Sequence, residues 1–181
     1  MEKYYAWMKL FQEKVYANKD YLSELDTPIG DGDHGGNMVR GTQAVLDMLE
    51  DKKPHDLENF YKTVAMAMLS KVGGASGPLY GTAFMAMAKH SDEDIVSQIE
   101  AGFEGIQKRG KSSVGEKTML DVWGPALEDL KKNRLSVERL QEYVASTKAM
   151  KATKGRSSYL GERSIGHIDP GAQSSAYFFE A

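Results

Sequence analysis

Residues 25–41, LDTPIGDGDHGGNMVRG, hold the side chains of this sequence best suited to do chemistry. Asp26, Asp31 and Asp33 bring three carboxylates close together, beside His34 and among Gly30, Gly32, Gly35 and Gly36. Building a core does not call for this combination. The acids repel one another, and the glycines raise the entropy cost of ordering the loop. A hard cation offsets both. Carboxylates without a Cys or His₂ partner suit Mg²⁺ or Mn²⁺ rather than Zn²⁺. Mg²⁺ keeps part of its shell for water or substrate phosphate. Gly35, Gly36 and Asn37 open the next helical pattern, so their free N–H groups and the helix dipole are placed for an anion. The bland reading is a solvated Asp-Gly turn, and the three acids together with the other glycine loops argue against it.

Smaller clusters stand elsewhere in the chain. Ala75 and Ser76 lie in a second glycine turn, Gly73–Pro78, where a hydroxyl and exposed amides again favour an anion. Ser76 is a poor nucleophile on sequence grounds, because it lacks a G-x-S-x-G elbow and has no evident base. Lys117 and Thr118 open a later helix, either to contact a phosphate or as ordinary residues of a helix start. Arg156 and Arg163 occupy the last loop, either to neutralise phosphate or to face solvent. His34 and His167 are each either a general base or a histidine satisfied within its loop.

Three motif matches do not hold. Gly30–Gly35 fits the dinucleotide pattern G-x-G-x-x-G, but a helix rather than a strand precedes it, and aspartates at its variable positions repel a bare pyrophosphate. Gly105–Ser112 fits the phosphate-loop pattern G-x-x-x-x-G-K-[ST], yet its first half continues a helical stripe. An EF-hand begun at Asp31 would place Gly35 and Thr42 at ligand positions, without the bidentate acid.

The elements that must position these groups are helical. Met8, Phe11, Val15, Leu22 and Leu25 share one face of a first helix, which Thr27-Pro28 stops. Met38, Val45 and Leu49 mark a second, and Leu57, Phe60, Val64, Met68 and Val72 a third. Leu79–Ala88 is apolar nearly all round, which predicts a buried fourth. Met66, Met68, Met85 and Met87 are read as core filling rather than a soft ligand patch. Ile95, Ile99, Phe103 and Ile106 give a fifth helix, closed by Lys108-Arg109-Gly110. Leu120, Trp123, Leu127 and Leu130 give a sixth, with Pro125 a kink or restart. Ser136 caps a seventh that carries Leu140, Val144 and Thr147, has Lys148, Lys151 and Lys154 in its last turns and stops at Gly155. Asp169-Pro170 begins an eighth. No period-2 strand or repeat is evident, so residues 1–181 read as a single all-α domain of about eight helices.

The bulk composition excludes several classes. A 181-residue chain with 41% hydrophobic residues is long enough for one full core. Its net charge of −3 gives no sequence-wide field attracting nucleic acid or an anionic membrane. It has no apolar run long enough to span a bilayer, and Met1-Glu2-Lys3-Tyr4 does not begin a signal peptide. The absence of cysteine removes disulfides, thiolate catalysis and thiolate metal ligands. The expected location is cytoplasmic.

Four segments together resemble the nucleotide-binding L subunits of dihydroxyacetone kinases: TPIGDGDHGGNMVRG at 27–41, KVGGASGPLYGTAF at 71–84, VGEKTMLDVWGPA at 114–126 and KATKGRSSYLGERSIGHIDPGAQSS at 151–175. They recur in the order of that family. The N-terminal helix and residues 133–148 carry no such signature, and the latter region is short for the family.

The resemblance implies an eight-helix antiparallel barrel that binds ADP or ATP across its loop end. On that basis Asp26, Asp31 and Asp33 hold two Mg²⁺ ions. His34, Gly35, Gly36 and Asn37 lie along the phosphates beside Ala75 and Ser76. Gly110 and Met119 border the nucleotide, and Arg156, Asp169 and Pro170 complete the site. It further implies a split kinase whose K subunit carries dihydroxyacetone on a histidine. In phosphotransferase-system versions, ADP stays bound and is rephosphorylated by a phosphohistidine on an M subunit, with phosphoenolpyruvate as the ultimate donor. An L subunit that exchanges free ATP, and a nucleotide-dependent co-activator, are the alternatives.

Overall fold

The computed structural model describes all 181 residues and contains nine α-helices, two 3-10 segments and no strand. The helices are α1 (Glu2–Ala17), α2 (Lys19–Asp26), α3 (His34–Lys52), α4 (Leu57–Lys71), α5 (Ser76–Lys89), α6 (Ile95–Gly110), α7 (Leu120–Lys131), α8 (Val137–Ser146) and α9 (Pro170–Glu180). The single first helix expected from the sequence is divided at Asn18. Its side-chain amide turns back onto the Lys14 carbonyl at 2.8 Å and competes with the helical ladder. The apolar period crosses this break unchanged, so Val15 and Leu22 are both fully buried.

Helices adjacent in sequence pack side by side from α3 to α9, and α1 packs on both α3 and α9, which closes the ring. Most of the connections are short, which makes the helices they join antiparallel. Phe178 of α9 fills the middle. It stacks on Trp123 with ring centroids 5.0 Å apart and meets Phe11 and Phe84 edge-on. The Trp7 indole donates to the Phe178 carbonyl at 2.9 Å and so ties the first helix to the last.

The methionine reading holds for Met68 and Met87, which are fully buried, and fails for Met66 and Met85, which are 52% and 37% exposed. Residues two apart on a helix point in nearly opposite directions, so only one of each pair can face inward. Pro125 neither stops nor restarts its helix, and α7 runs through it. The expected seventh helix is shorter than its charge pattern implied. α8 ends at Ser146, a 3-10 turn covers Thr147–Ala149, and Lys151 and Lys154 lie in the following loop. The backbone there finds partners outside any helix. Ala152 N–H donates to Ser164 Oγ at 2.9 Å, and the Lys148 carbonyl accepts from Gly166 N–H at 2.7 Å.

The two ends of the ring differ. At one end, α4, α6 and α8 begin on tight turns, and the side chains of Asp56, Asp94 and Ser136 cap their first N–H groups. At the other end lie the connections 27–33, 72–75, 111–119 and 147–169, every second one in the chain. There the residues just before α3, α5 and α7 do not cap them, although Asp26 accepts from His34 N–H and Thr118 Oγ1 from Leu120 N–H. At that end α9 is capped by the residue before it, Asp169, which accepts from Ala172 N–H at 2.8 Å.

Candidate functional site

Those four connections enclose a cavity of about 780 Å³. The residues expected at a site come together in it. Asp26, Asp31, Asp33, His34 and Asn37 line one part, Ala75 and Ser76 another, and Gly110, Met119, Arg156, Asp169 and Pro170 the rest. Gly35 and Gly36 do not line it. A side chain on Gly35 would run into the Lys19 carbonyl, which shows that this glycine lets α3 seat against α2. Gly36 turns toward Arg40.

The acidic loop is built around Asp26. Its carboxylate accepts from the backbone N–H groups of Asp33 at 3.1 Å and His34 at 3.3 Å, which folds the loop over the end of α2. Gly30 passes so near that a Cβ there would lie 2.0 Å from Asp26 Oδ1. One carboxylate oxygen each from Asp26, Asp31 and Asp33 lies within 4.8 Å of the others. Half-burial raises the Asp26 pKa and the charge of Asp31 adds to this, while the two N–H donors oppose it. Asp31 goes the other way. Desolvation pushes it up, but hydrogen bonding with Asp33 and the guanidinium of Arg156 outweigh that, and its pKa falls below the usual carboxylate range. Arg156 reaches Asp31 across the mouth of the cavity from the last connection.

This donor set fits a hard divalent cation. It is all oxygen, carries several negative charges and remains open on the cavity side. His34 is not available to a metal. Its ring is nearly buried, with Nε2 3.0 Å from Ser174 Oγ and Nδ1 3.4 Å from Ser76 Oγ. Burial lowers its pKa to about 4, against the effect of the Pro170 carbonyl, so the ring is neutral near pH 7. No base adjoins Ser76 along the chain, and the fold supplies this imidazole as its neighbour. The starts of α3 and α5 leave first-turn N–H groups free and aim them, with their helix dipoles, at the same space, an arrangement that favours phosphate.

Several lining residues went unnoticed in the sequence. Leu79 and Ile106 give the cavity an apolar wall beside Met119, and Arg109 and Ser112 border it. Leu79 begins an all-round apolar helix and Ile106 ends a helical stripe, and such patterns identify buried positions but not which end of the helix meets a cavity. Lys117 lines the space, yet its ammonium faces the protein. It donates to the Thr147 carbonyl at 2.6 Å and also to that of His167. Asp121 arranges the same connection by accepting from Thr118 N–H at 2.7 Å and from Gly115 N–H. Burial raises the Asp169 pKa to about 7. The Ala172 N–H and Lys117 pull it down, and Asp121 and Asp26 push it further up. Arg163 and His167 lie outside the lining.

A family model described as the DAK2 domain matches residues 28–181. The chain is 56% identical over 176 residues to the Lactococcus lactis protein named PTS-dependent dihydroxyacetone kinase, ADP-binding subunit DhaL, covering 96% of this chain and 92% of that protein. It is 54% identical to the Listeria innocua protein named PEP-dependent dihydroxyacetone kinase 1, ADP-binding subunit DhaL (97% and 91% covered). It is 40% identical to the Escherichia coli protein named PEP-dependent dihydroxyacetone kinase, ADP-binding subunit DhaL (96% and 91%). Among solved structures, the dihydroxyacetone kinase of C. freundii superposes with a TM-score of 0.79 at 21% identity, over 99% of this chain and 34% of that one. Its complex with AMP-PNP and Mg²⁺ gives 0.78 over 97% and 32%. These two likenesses establish the fold. The family model takes in every element after α2 and the sequence identities run nearly end to end, so the chain belongs to the DAK2 domain family.

Proposed function

We propose that this chain is the ADP-binding subunit of a split dihydroxyacetone kinase. It takes a phosphoryl group from a phosphohistidine on an M-type carrier, with phosphoenolpyruvate as the ultimate donor, and passes it to dihydroxyacetone held on a K subunit. The observation that carries this reading is the pairing of a three-carboxylate cluster with two helix starts that leave N–H groups free around one cavity. The phosphoenolpyruvate-dependent form is favoured by the names of the relatives that match at 56%, 54% and 40% identity. Residues 1–181 act as one nucleotide-binding domain. No helix is long and apolar enough to cross a membrane.

In this reading Asp26, Asp31 and Asp33 hold Mg²⁺, two ions when nucleotide is present. Mg²⁺ and nucleotide supply charge neutralisation and a phosphoryl acceptor when bound. The chain contributes position and field. His34 and Asn37, with the free amides of Gly35 and Gly36 between them, and Ala75 and Ser76 would lie along the phosphates. Arg156 adds positive charge at the mouth. Leu79, Ile106 and Met119 wall the base, and Gly110, Asp169 and Pro170 close the sides. Phosphoryl transfer depends on positioning and electrostatics more than on covalent help, so no nucleophile from this chain is required.

Reconstitution with K and M partners tests the proposal. Dihydroxyacetone phosphate should form from phosphoenolpyruvate, and no product from a complete system overturns the reading. Product formed with free ATP in place of M moves the donor to the exchanging-nucleotide alternative. Native mass spectrometry of dialysed protein should find ADP still bound. Asp33→Asn should keep its helical spectrum yet lose Mg-dependent ADP binding by calorimetry, and unchanged affinity removes Asp33 from the metal site.

A further inference from the structure

A chain of polar side chains runs from the cavity into the centre of the molecule. Ser76 borders the cavity, and the His34 ring bridges it to Ser174. Tyr80 O–H lies 3.3 Å from Ser174 Oγ and 3.1 Å from Ser175 Oγ, and the Trp123 indole donates to Ser175 Oγ at 3.1 Å. Ser174, Ser175, Tyr80 and Trp123 are completely buried, and no buried side-chain polar atom is left unpaired. The chain joins α3, α5, α7 and α9 where the rest of the core is aromatic and aliphatic. Helix packing alone is met more cheaply by apolar residues. A fully satisfied polar network in such a place instead specifies geometry.

The network also has a direction. Ser174 Oγ is placed to give its one hydrogen to the Gly171 carbonyl, at 3.2 Å. Its contact with Tyr80 then takes the Tyr80 hydrogen, and the Tyr80–Ser175 contact takes the hydrogen of Ser175, which also accepts from the Trp123 indole, a group that can only donate. Toward His34, Ser174 is therefore an acceptor, and the nitrogen facing it must carry hydrogen. That leaves Nδ1 as the acceptor for the Ser76 hydroxyl. Which imidazole nitrogen is protonated is fixed by what the other one bonds.

We propose that Ser174, directed by Tyr80 and Ser175 behind it, is a positioning residue that holds His34 as the Nε2–H tautomer, and that this fixed ring and the Ser76 hydroxyl it pins set the affinity of the cavity for Mg–ADP. The affinity half rests on the nucleotide-binding reading above, whereas the tautomer half does not.

The test uses the full-length protein with ¹⁵N-labelled histidine, free of metal and nucleotide, at neutral pH. The His34 signals are assigned by their loss in His34→Gln. Wild type should show one tautomer, Nε2–H. Ser174→Ala should show a mixture or the reverse, with Mg–ADP binding about tenfold weaker by calorimetry, on the order of the smallest loss that follows when a metal-bound histidine is deprived of its orienting partner. Tyr80→Phe removes only the hydroxyl that directs Ser174. It should shift both readouts the same way by less, and it decides the question alone if Ser174→Ala does not fold. A purely structural role lowers thermal stability and leaves tautomer and affinity as in wild type, which overturns the proposal, as does Nδ1–H in wild type. If the tautomer responds but wild type does not bind Mg–ADP, the nucleotide reading falls and the tautomer assignment stands.

Discussion

The Lys117 ammonium lies 2.6 Å from the Thr147 carbonyl oxygen, in the interior, and the residue itself is 1% exposed. Its backbone is left-handed, at φ 60°, an uncommon conformation for a lysine. A second bond to the His167 carbonyl makes it a cross-brace between two connections far apart in sequence. One carries Met119. The other carries Arg156 and Asp169. Burial lowers the Lys117 pKa, and the nearby charges of Asp169 and Asp121 oppose that shift.

Removing the brace should loosen one wall of the cavity. Lys117→Met leaves two buried carbonyls without their donor, and each unsatisfied group costs about 1–3 kcal/mol. Loss of a buried charge offsets part of this. A net destabilisation of about 2–4 kcal/mol is expected, lowering Tm by very roughly 4–16 °C for a chain of this size. Hydrogen exchange should quicken in residues 147–169 before it does in α4 and α5. Uniform protection with an unchanged Tm would show that Lys117 braces nothing.

Arg156 and Asp31 make a second long-range pair, this one solvent-exposed. Exposed pairs contribute at most about 1 kcal/mol, so Arg156→Gln should scarcely alter thermal stability. Binding should change in two opposite directions. Without Arg156, Asp31 keeps its full charge for a cation, and Mn²⁺ alone should bind a few-fold more tightly, read by electron paramagnetic resonance. Mg–ADP should bind about tenfold more weakly, because a cation facing the phosphates is gone. Equal weakening of both measurements would indicate a disturbed loop rather than an exchanged charge.

Much of this architecture was legible in the sequence because it rests on local rules. Thr27-Pro28, Gly110, Ser136 and Asp169-Pro170 mark helix ends by backbone chemistry that acts within a few residues. Asp26, Asp31 and Asp33 were legible because such charge density needs a counterion. Tertiary partners were not. Lys117 reads as a helix-start lysine until Thr147 and His167 are brought beside it. His34 becomes the neighbour of Ser76 only when α3 and α5 are adjacent. The end of α8 depends on Ser164 and Gly166, well beyond any helical window.

Asp129 gives the acid limb of the stability curve. It is completely buried and receives hydrogen bonds from Arg139, Tyr143 and Arg134 at the α7–α8 turn. Arg139 contributes most to holding its pKa well below the usual carboxylate range, with Tyr143 and Arg134 adding to the effect, against desolvation. A depressed folded-state pKa stabilises above the unfolded value, near 4, and that contribution is lost as pH falls below it. Asp129→Ala should be destabilised at neutral pH by about 2–4 kcal/mol, since it leaves the partners of a buried ion unpaired. The gap from wild type should narrow toward about pH 3 in urea titrations. A gap independent of pH would assign the loss to packing alone.

Asp169 works in the opposite sense and at the site itself. Desolvation is the main cause of its pKa of about 7. Below the unfolded carboxylate value, near pH 4, it is protonated in both states and does not affect the balance. As pH rises from there, the unfolded chain loses the proton while the folded chain keeps it, so stability falls until the folded group also ionises near pH 7. Asp169→Asn keeps a side-chain oxygen for the Ala172 N–H, and asparagine caps helices as well as aspartate does. The variant should therefore match wild type near pH 4 and exceed it at about pH 8 by on the order of 2–4 kcal/mol in urea unfolding, given about 1.4 kcal/mol per unit of pKa. If wild type and variant keep the same separation at both pH values, Asp169 is ionised throughout, and its charge belongs to the cation cluster formed by Asp26, Asp31 and Asp33 rather than to the cap of α9.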